Sequence, residues 1–495
     1  MKYIPTIGLE VHAELKTATK MFCRCPNISD EKSPNQNVCP ICLGHPGTMP
    51  SANIEAIKAI LKLGMALGGE IPAMSQFDRK SYFYPDLPKG YQISQYEHPF
   101  VKGGELAGIK LRRIHLEEDA GKLMHLPAGE TLCDYNRAGV PLMELVTEPD
   151  IQSGEEAVKF TKELQLVLRY LGISSADMEK GEMRLEANIS VRPANVSQLG
   201  VKVEVKNLNS FSFMIKAIDY EIKRQIEAIE KGENIIQETR GWDNAQLITF
   251  SQRSKEQAHD YRYLPEPDIP LYDLTDKSFI NFDELRASIP EMPVDKRKRF
   301  MKEFGVTEAA AVVFVEDRLL AEYYEETASE IMAENIVEVE KRRGLQIAAN
   351  YIIADTRGVI NSIGINISAF KERVTPENMA DLIILIIKGE LSSRMAKDML
   401  LEMYQSGADP RKIITEKGIT QVTDEVIIIE AIKEVITANP KAVADYHKGK
   451  ENAFQFLFGQ TMLKLKGQGS PEAIRGSLKK RLIVDSKNDV KIHLN

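Results

Sequence analysis

IGLEVHAEL, from Ile7 to Leu15, alternates without a break. Ile7, Leu9, Val11, Ala13 and Leu15 share one parity, and Glu10, His12 and Glu14 share the other. Successive side chains of a strand point to opposite faces, so the segment predicts a β-strand with one apolar face and one carrying acids and a histidine. LEANISV repeats the pattern, with Leu185, Ala187, Ile189 and Val191 against Glu186, Asn188 and Ser190. VKVEVK sets Val201, Val203 and Val205 against Lys202, Glu204 and Lys206. IHLEEDAGK gathers His115, Glu117, Glu118 and Asp119 at a predicted strand end. For any one of these strands, the wet outer face of a half-buried sheet is sufficient explanation. Their recurrence offers a second one, in which a single sheet collects carboxylates, a histidine and amides on one side. Clustered carboxylates need cations, and hard oxygen ligands favour magnesium, above all magnesium shared with phosphates. Lys202, Lys206, Arg184 and Arg192 add positive charge to the same segments. Neither G-x-x-x-x-G-K-[ST] nor G-x-G-x-x-G occurs, so the two commonest glycine-rich phosphate cradles are absent.

Four of the five cysteines fall in FCRCPNISDEKSPNQNVCPICLG, from Phe22 to Gly44. Cys23-x-Cys25 and Cys39-x-x-Cys42 are two close thiol pairs separated by a loop, which reads as a zinc clamp before the alternatives of a disulfide pair or unligated thiols. Four sulfurs would fill a tetrahedron and leave no open position, so the zinc predicted here is structural and the chemistry lies elsewhere. Cys133 stands apart and reads as a small buried apolar residue.

A chain of 495 residues supports two to four domains. Its composition, 43% hydrophobic and 27% charged, is that of a soluble globular protein. Few cysteines for this length argue against a secreted disulfide scaffold. MKYIPTIGLEVHAEL has no basic stretch followed by an apolar core, and runs such as LIILII, Leu382 to Ile387, are too short to span a bilayer. A cytoplasmic protein without a membrane association is expected.

Two denser stretches carry more information. FDRKSYFYPDLPKGYQISQYE spans Phe77 to Glu97, and DYNRAGVPLMELVTEPDI spans Asp134 to Ile151. Both mix proline, glycine, aromatics and charge, as ordered recognition loops do. Taken with IGLEVHAEL, HLEEDAGK, RLEANISVR, EVKNLNSF, DYRYLPEPDIP and FGQTMLKLKGQGSPEAI, in this order along nearly the whole chain, they show that the sequence resembles the B subunits of bacterial aspartyl/glutamyl-tRNA amidotransferases.

That resemblance implies an α+β fold: an N-terminal mixed-sheet cradle, glutamine synthetase-like and carrying the zinc clamp, followed by a helical domain and a small helical tail. It also implies a three-protein enzyme. A glutaminase (A) partner would supply ammonia, a small third (C) partner would stabilise the pair, and this chain would bind misacylated tRNA. With ATP and magnesium, it would phosphorylate the side-chain carboxylate of Glu on tRNA(Gln) or Asp on tRNA(Asn), after which ammonia forms the amide. Carried onto this sequence, Glu10, His12, Glu117, Glu118, Glu186 and Glu204 are the catalytic candidates. Glu10, His12 and one or both of Glu117 and Glu118 are the expected magnesium ligands. Lys80, Tyr82, Tyr84, Lys89, Arg137, Asn188, Ser190 and Lys206 are candidates for ATP or substrate contact. Cys23, Cys25, Cys39 and Cys42 would hold the zinc.

Breaks at SIPEMPVDKRKRF and SGADPRK suggest domains at 1–292, 293–406 and 407–485, with 486–495 as an appended extension. Helical spacing dominates after Pro293. Net charge is −8, yet Met462 to Leu482 holds six Lys or Arg and one acid. A basic end on an acidic chain suits RNA phosphates, making Lys464, Lys466, Arg475, Lys479 and Lys480 tRNA-binding candidates; a solvated helix face is the simpler alternative. The competing function is a non-catalytic zinc-containing tRNA-binding protein, which leaves the carboxylate faces unexplained.

Overall fold

The computed structural model of the protein describes residues 2–28, 30–254, 261–418, 425–465 and 469–492. It divides into two compact units, Met1–Pro293 and Val294–Asn495.

The first unit is built on one large sheet. Its strands are β1 (Tyr3–Glu14), β2 (Val101–Lys102), β3 (Glu105–Leu106), β4 (Ile109–Glu118), β5 (Pro141–Thr147), β6 (Met183–Pro193), β7 (Val203–Lys206), β8 (Glu238–Asp243) and β9 (Ile248–Ser254). Their order across the sheet is β9-β8-β7-β6-β1-β5-β4-β2, with β3 also paired to β4. β7 and β8 run parallel and the other neighbours antiparallel, so the sheet is mixed. The alternating segment that starts at Ile7 thus lies in β1, the middle of the sheet, where each face is fixed by neighbours on both sides.

Ile7, Leu9, Val11 and Ala13 of β1 are fully buried. They join one apolar cluster with Ile57, Ile60 and Leu61 of α1 (Ile54–Ala66), Phe160 and Leu164 of α2 (Gly154–Tyr170), and Met214 and Ile218 of α3 (Phe211–Glu230). Each helix opens on a side-chain cap: Asn53, Ser153 and Ser210 accept hydrogen bonds from the first-turn amides. Each fully buried Leu or Ile contributes about 1.5–3 kcal/mol, so the apolar parity of β1 fixes which face turns outward. A one-residue slip would bury Glu10 and His12 against these helices instead.

The second unit is helical, from Pro293–Phe304 to Pro471–Ile492. One apolar cluster runs from Phe300 to Ile413 and another from Ile428 to Leu482. LIILII ends the buried helix Pro376–Ile387, which accounts for its apolarity. The last helix continues through Ile492, so residues 486–492 prolong it. No helix among the described residues is long and apolar enough to cross a membrane.

Candidate active site and cysteine cluster

The polar parity of β1 meets the same parity of its neighbours. Across the sheet, Arg184, His12, Glu144 and His115 stand in one row, and Glu186, Glu10 and Val146 in the next. Leu142 faces Glu117, and Asn188 faces Glu204. Most of these side chains line a cavity of about 680 Å³.

Two sets of ligand atoms converge there. Those of His12, Glu117 and Glu144 lie within 4.8 Å of one another, as do those of Glu10, Glu186 and Glu204. His12 Nε2 stands 3.4 Å from Glu144 and 3.6 Å from Glu117, while His115 Nε2 stands 3.3 Å from Glu144. Ser94 Oγ donates to Glu117 at 3.1 Å. In the second set, Lys206 Nζ donates to Glu186 at 2.9 Å, Asn188 Nδ2 to Glu10 at 2.8 Å and Thr239 Oγ1 to Glu204 at 2.6 Å.

The charges are in tension. Burial, then Glu144, Glu186 and Glu204, raise the Glu10 carboxyl above its ordinary value, against the Asn188 hydrogen bond. Burial works against a charged His12, but Glu144, Glu117 and Glu186 outweigh it and lift the imidazole to about 9. Burial likewise opposes the charge on Glu144, and His115 and His12 hold it well below the usual glutamate range. Asn188 Oδ1, beside Glu10, is buried with no hydrogen-bond partner among the described residues. A hard cation at either set would relieve the carboxylate repulsion, and oxygen with imidazole is a suitable donor chemistry for one.

Most of the candidates named from sequence come together here. Lys80 and Tyr82 line the cavity with Glu10, His12, Glu117, Glu186, Glu204 and Lys206. Burial disfavours charge on Lys80, but Glu117, Tyr263 and Glu144 more than compensate and raise its pKa. Glu118 is a correction. β4 continues through Glu118, so adjacent residues diverge: Glu117 takes the cavity face and Glu118 the opposite one. There it pairs with Lys89 at 2.5 Å and accepts from the Ile93 amide at 2.9 Å. Lys89 is therefore also outside the carboxylate cavity, in a smaller one of about 200 Å³ shared with Cys23 and Cys42. Arg137 donates to the carbonyls of Ala120 and Gly121 at 2.9 and 3.0 Å instead of lining the cavity. Ser190 has the expected parity but pairs with Thr6, beyond Asn188 along β6. Tyr84 stacks on Tyr82 from outside, with ring centroids 5.4 Å apart.

Glu144 is the main residue that periodicity misses. PLMELVT is apolar on both parities, so alternation gives no face to its glutamate. A different signal is available: an acid alone in a buried apolar strand needs a charged or metal partner. Tyr263, from DYRYLPEPDIP, also lines the cavity.

The four clustered cysteines meet as well, with ligand atoms within 4.8 Å of one another. Cys39 and Cys42 sulfurs are 3.9 Å apart, and zinc–sulfur bonds of about 2.3 Å in a tetrahedron require about 3.8 Å. The Cys39 amide donates to Cys42 Sγ at 3.1 Å, and the wholly buried Lys20 brings Nζ to 3.9 Å from it. The hydrogen bond from Cys23, against burial, lowers the Cys42 thiol to about 5, while Cys23 is raised. Burial, then the hydrogen bond with Cys39, raises the Cys25 thiol to about 11, so the thiolate is favoured at Cys42. Cys133 is half-buried in the hairpin formed by Lys122–His125 and Thr131–Asp134, not wholly buried.

Of the tail candidates, Lys464 pairs with Glu434 at 2.5 Å and Arg475 lies over the Phe458 ring at 4.5 Å. Lys479 and Lys480 are both exposed on the last helix, and Lys466 lies outside the described residues.

A mixed sheet with helices packed on its apolar face and two convergent carboxylate sets on the other makes an α/β domain with a candidate cation-binding site. The GatB/GatE catalytic domain family matches residues 5–280, and the GatB domain family matches residues 331–482. The chain is 44% identical over 495 residues to the B subunit of the aspartyl/glutamyl-tRNA(Asn/Gln) amidotransferase of Thermotoga maritima, covering 97% of this chain and 99% of that one. Identity is also 44% over 493 residues to the protein of the same name from Carboxydothermus hydrogenoformans, with 97% and 99% covered. For Thermodesulfovibrio yellowstonii it is 44% over 483 residues, with 96% and 98% covered. The chain belongs to the family of aspartyl/glutamyl-tRNA(Asn/Gln) amidotransferase B subunits.

Proposed function

We propose that this chain activates the side-chain carboxylate of Glu on tRNA(Gln), of Asp on tRNA(Asn), or of both, using ATP, and then converts it to the amide. The observation that carries the reading is the pair of cation-suited clusters facing one cavity, in a chain of this family. Glutamine would be hydrolysed on a glutaminase (A) partner, with a small third (C) partner completing a cytoplasmic complex. The sheet is read as a glutamine synthetase-like cradle, 1–292, followed by helical segments 293–406 and 407–485.

A carboxylate is already ionised at neutral pH and needs no general base. Its oxygen attacks the γ-phosphorus and ADP departs. Ammonia nitrogen then attacks the acyl carbon, the bond from that carbon to the bridging oxygen breaks, and phosphate leaves with the original oxygen and takes up the proton that ammonia loses as the amide forms. The barrier to the first step is electrostatic, since an anion approaches a triphosphate. His12, Glu117 and Glu144, and Glu10, Glu186 and Glu204, would hold magnesium. Magnesium there would neutralise the phosphates and help align the attacking and leaving oxygens. Lys80 and Lys206, kept charged by the surrounding acids, bind phosphate or substrate carboxylate. Asn188 and Thr239 orient Glu10 and Glu204 through their hydrogen bonds. Cys23, Cys25, Cys39 and Cys42 would hold a structural zinc, since the four thiols leave no open position.

Single-turnover formation of phosphorylated aminoacyl-tRNA tests this. Glu10→Ala and His12→Ala, each checked for folding, should lose at least about 100-fold in rate while tRNA binding is nearly unchanged. Near-normal phosphorylation in both would return this strand to the role of a wet sheet face.

A further inference from the structure

One wall of the carboxylate cavity is aromatic. Tyr84 stacks on Tyr82 with centroids 5.4 Å apart and planes 20° apart, and Tyr82 approaches Tyr261 at 6.3 Å. Tyr261 meets Tyr263 edge-on at 6.2 Å, and Tyr263 stacks on Tyr96 at 4.6 Å and 17°. Three separate chain segments thus contribute to one ladder of five rings. All but Tyr84 line the cavity.

The backbone holds this ladder in place. The amides of Tyr82, Leu87 and Gly90 bond to the carbonyls of Gly90, Tyr84 and Leu87 at 3.2, 3.0 and 2.9 Å. Tyr135 Oη donates to the Pro85 carbonyl at 2.8 Å, and the Ser81 amide donates to the Tyr261 carbonyl at 2.8 Å. Even so, both ends of the ladder meet solvent: Tyr84 is 49% and Tyr96 45% exposed, and Phe83 beside Tyr84 is 82% exposed. A pinned loop that keeps aromatic faces in water presents them for a ligand.

Charge narrows that ligand. Lys80 Nζ lies 5.0 Å from the centre of the Tyr261 ring, and the Arg113 guanidinium lies 5.5 Å from that of Tyr96. Stacked aromatics interleaved with cations are the composition of surfaces that take single-stranded nucleotides, where the ring receives the base and the cation the phosphate. We propose that the tyrosine ladder is a stacking platform for an adenine ring whose attached phosphates or ester reach into the carboxylate cavity. This rests on the reading of ATP and aminoacyl-tRNA as substrates, and adenine has two sources there: ATP itself and the 3′-terminal adenosine of the tRNA.

2-Aminopurine, whose fluorescence stacking quenches, separates the two. In one arm it replaces adenine in the nucleoside triphosphate; in the other it replaces the 3′-terminal base of the tRNA. Each probe is titrated onto the full-length chain with its partner proteins. Quenching of one probe identifies the source. Tyr84→Leu or Tyr96→Leu should abolish that quenching and weaken the probe's binding about 5- to 150-fold, while the matching Phe variant retains both. Absence of quenching for both probes in the unmodified protein overturns the proposal without any variant. Quenching unchanged in both Leu variants overturns it too, as does equal loss in Leu and Phe, which would assign the effect to the hydroxyl. Phosphorylation without quenching would sink the ladder alone. Quenching without phosphorylation would sink the proposed reaction and keep the ladder.

Discussion

Glu144 shows how one residue can set the charge state of a site. It lies between His12 and His115, 3.4 and 3.3 Å from their Nε2 atoms. Its carboxyl is held well below the ordinary glutamate value of 4.5 despite burial. A depressed folded value means that ionised Glu144 contributes stability above the unfolded range, and that this contribution disappears as pH falls through the folded value. In metal-free protein, Glu144→Gln should therefore cost about 3 kcal/mol at pH 7, because the imidazoles lose a buried partner. Urea denaturation in a chelator, repeated towards acid pH, should show the variant and the unmodified protein converging, since protonated Glu144 resembles the amide. A gap that stays constant with pH would mean that the carboxylate's charge is not what stabilises the fold. His12 is legible from sequence through its parity with Glu10; Glu144 is not, because its neighbours on both sides are apolar.

At the scale of elements, legibility depends on how many faces of a strand are buried. β1, β6 and β7 carry one apolar and one polar face, so alternation alone assigns Glu10, His12, Glu186, Asn188 and Glu204. β5 is buried almost throughout, and its period-2 signal is erased. β4 differs again: its last two residues are both acids, and only knowing that the strand runs through Glu118 separates their faces. The segment between β1 and α1 is read from cysteine spacing, and here the structure brings the four sulfurs together. That segment is tied to the fold by the Met21 amide bonding to the Gly139 carbonyl at 2.7 Å and by Asn53, the cap of α1, bonding through its amide to the Met21 carbonyl at 2.8 Å. Replacing Cys39 and Cys42 by Ser should release one zinc ion, measured by metal analysis, and destabilise the first unit by more than about 3 kcal/mol. Protein that remains folded should still phosphorylate its substrate, because the cysteines do not line the carboxylate cavity. Loss of that step at unchanged stability would give the metal a catalytic role.

For the molecule as a whole, charge is distributed by segment more than by total. The chain carries a net −8, and acids gather in the cavity of the first unit, while Met462 to Leu482 holds six basic residues and one acid. Sequence identifies that excess but not which charges are available, since pairing depends on neighbouring helices. Lys464 is engaged with Glu434, whereas Arg475, laid over the Phe458 ring, stays exposed. Lys479 and Lys480 face solvent on the last helix. If this end of the chain contacts tRNA phosphates, Arg475, Lys479 and Lys480 each release counterions on binding, and the logarithm of affinity falls with the logarithm of salt by about 0.7–0.9 per contact. Replacing all three by Ala in the full-length chain should therefore weaken tRNA binding at low salt and flatten the salt dependence by about two to three in that slope. Nucleotide binding in the first unit should be unaffected. The unmodified protein and the triple variant would be titrated with tRNA from low to moderate salt under identical conditions. Equal slopes for the two would make these residues a solvated helix face, and place the tRNA contacts elsewhere on the chain.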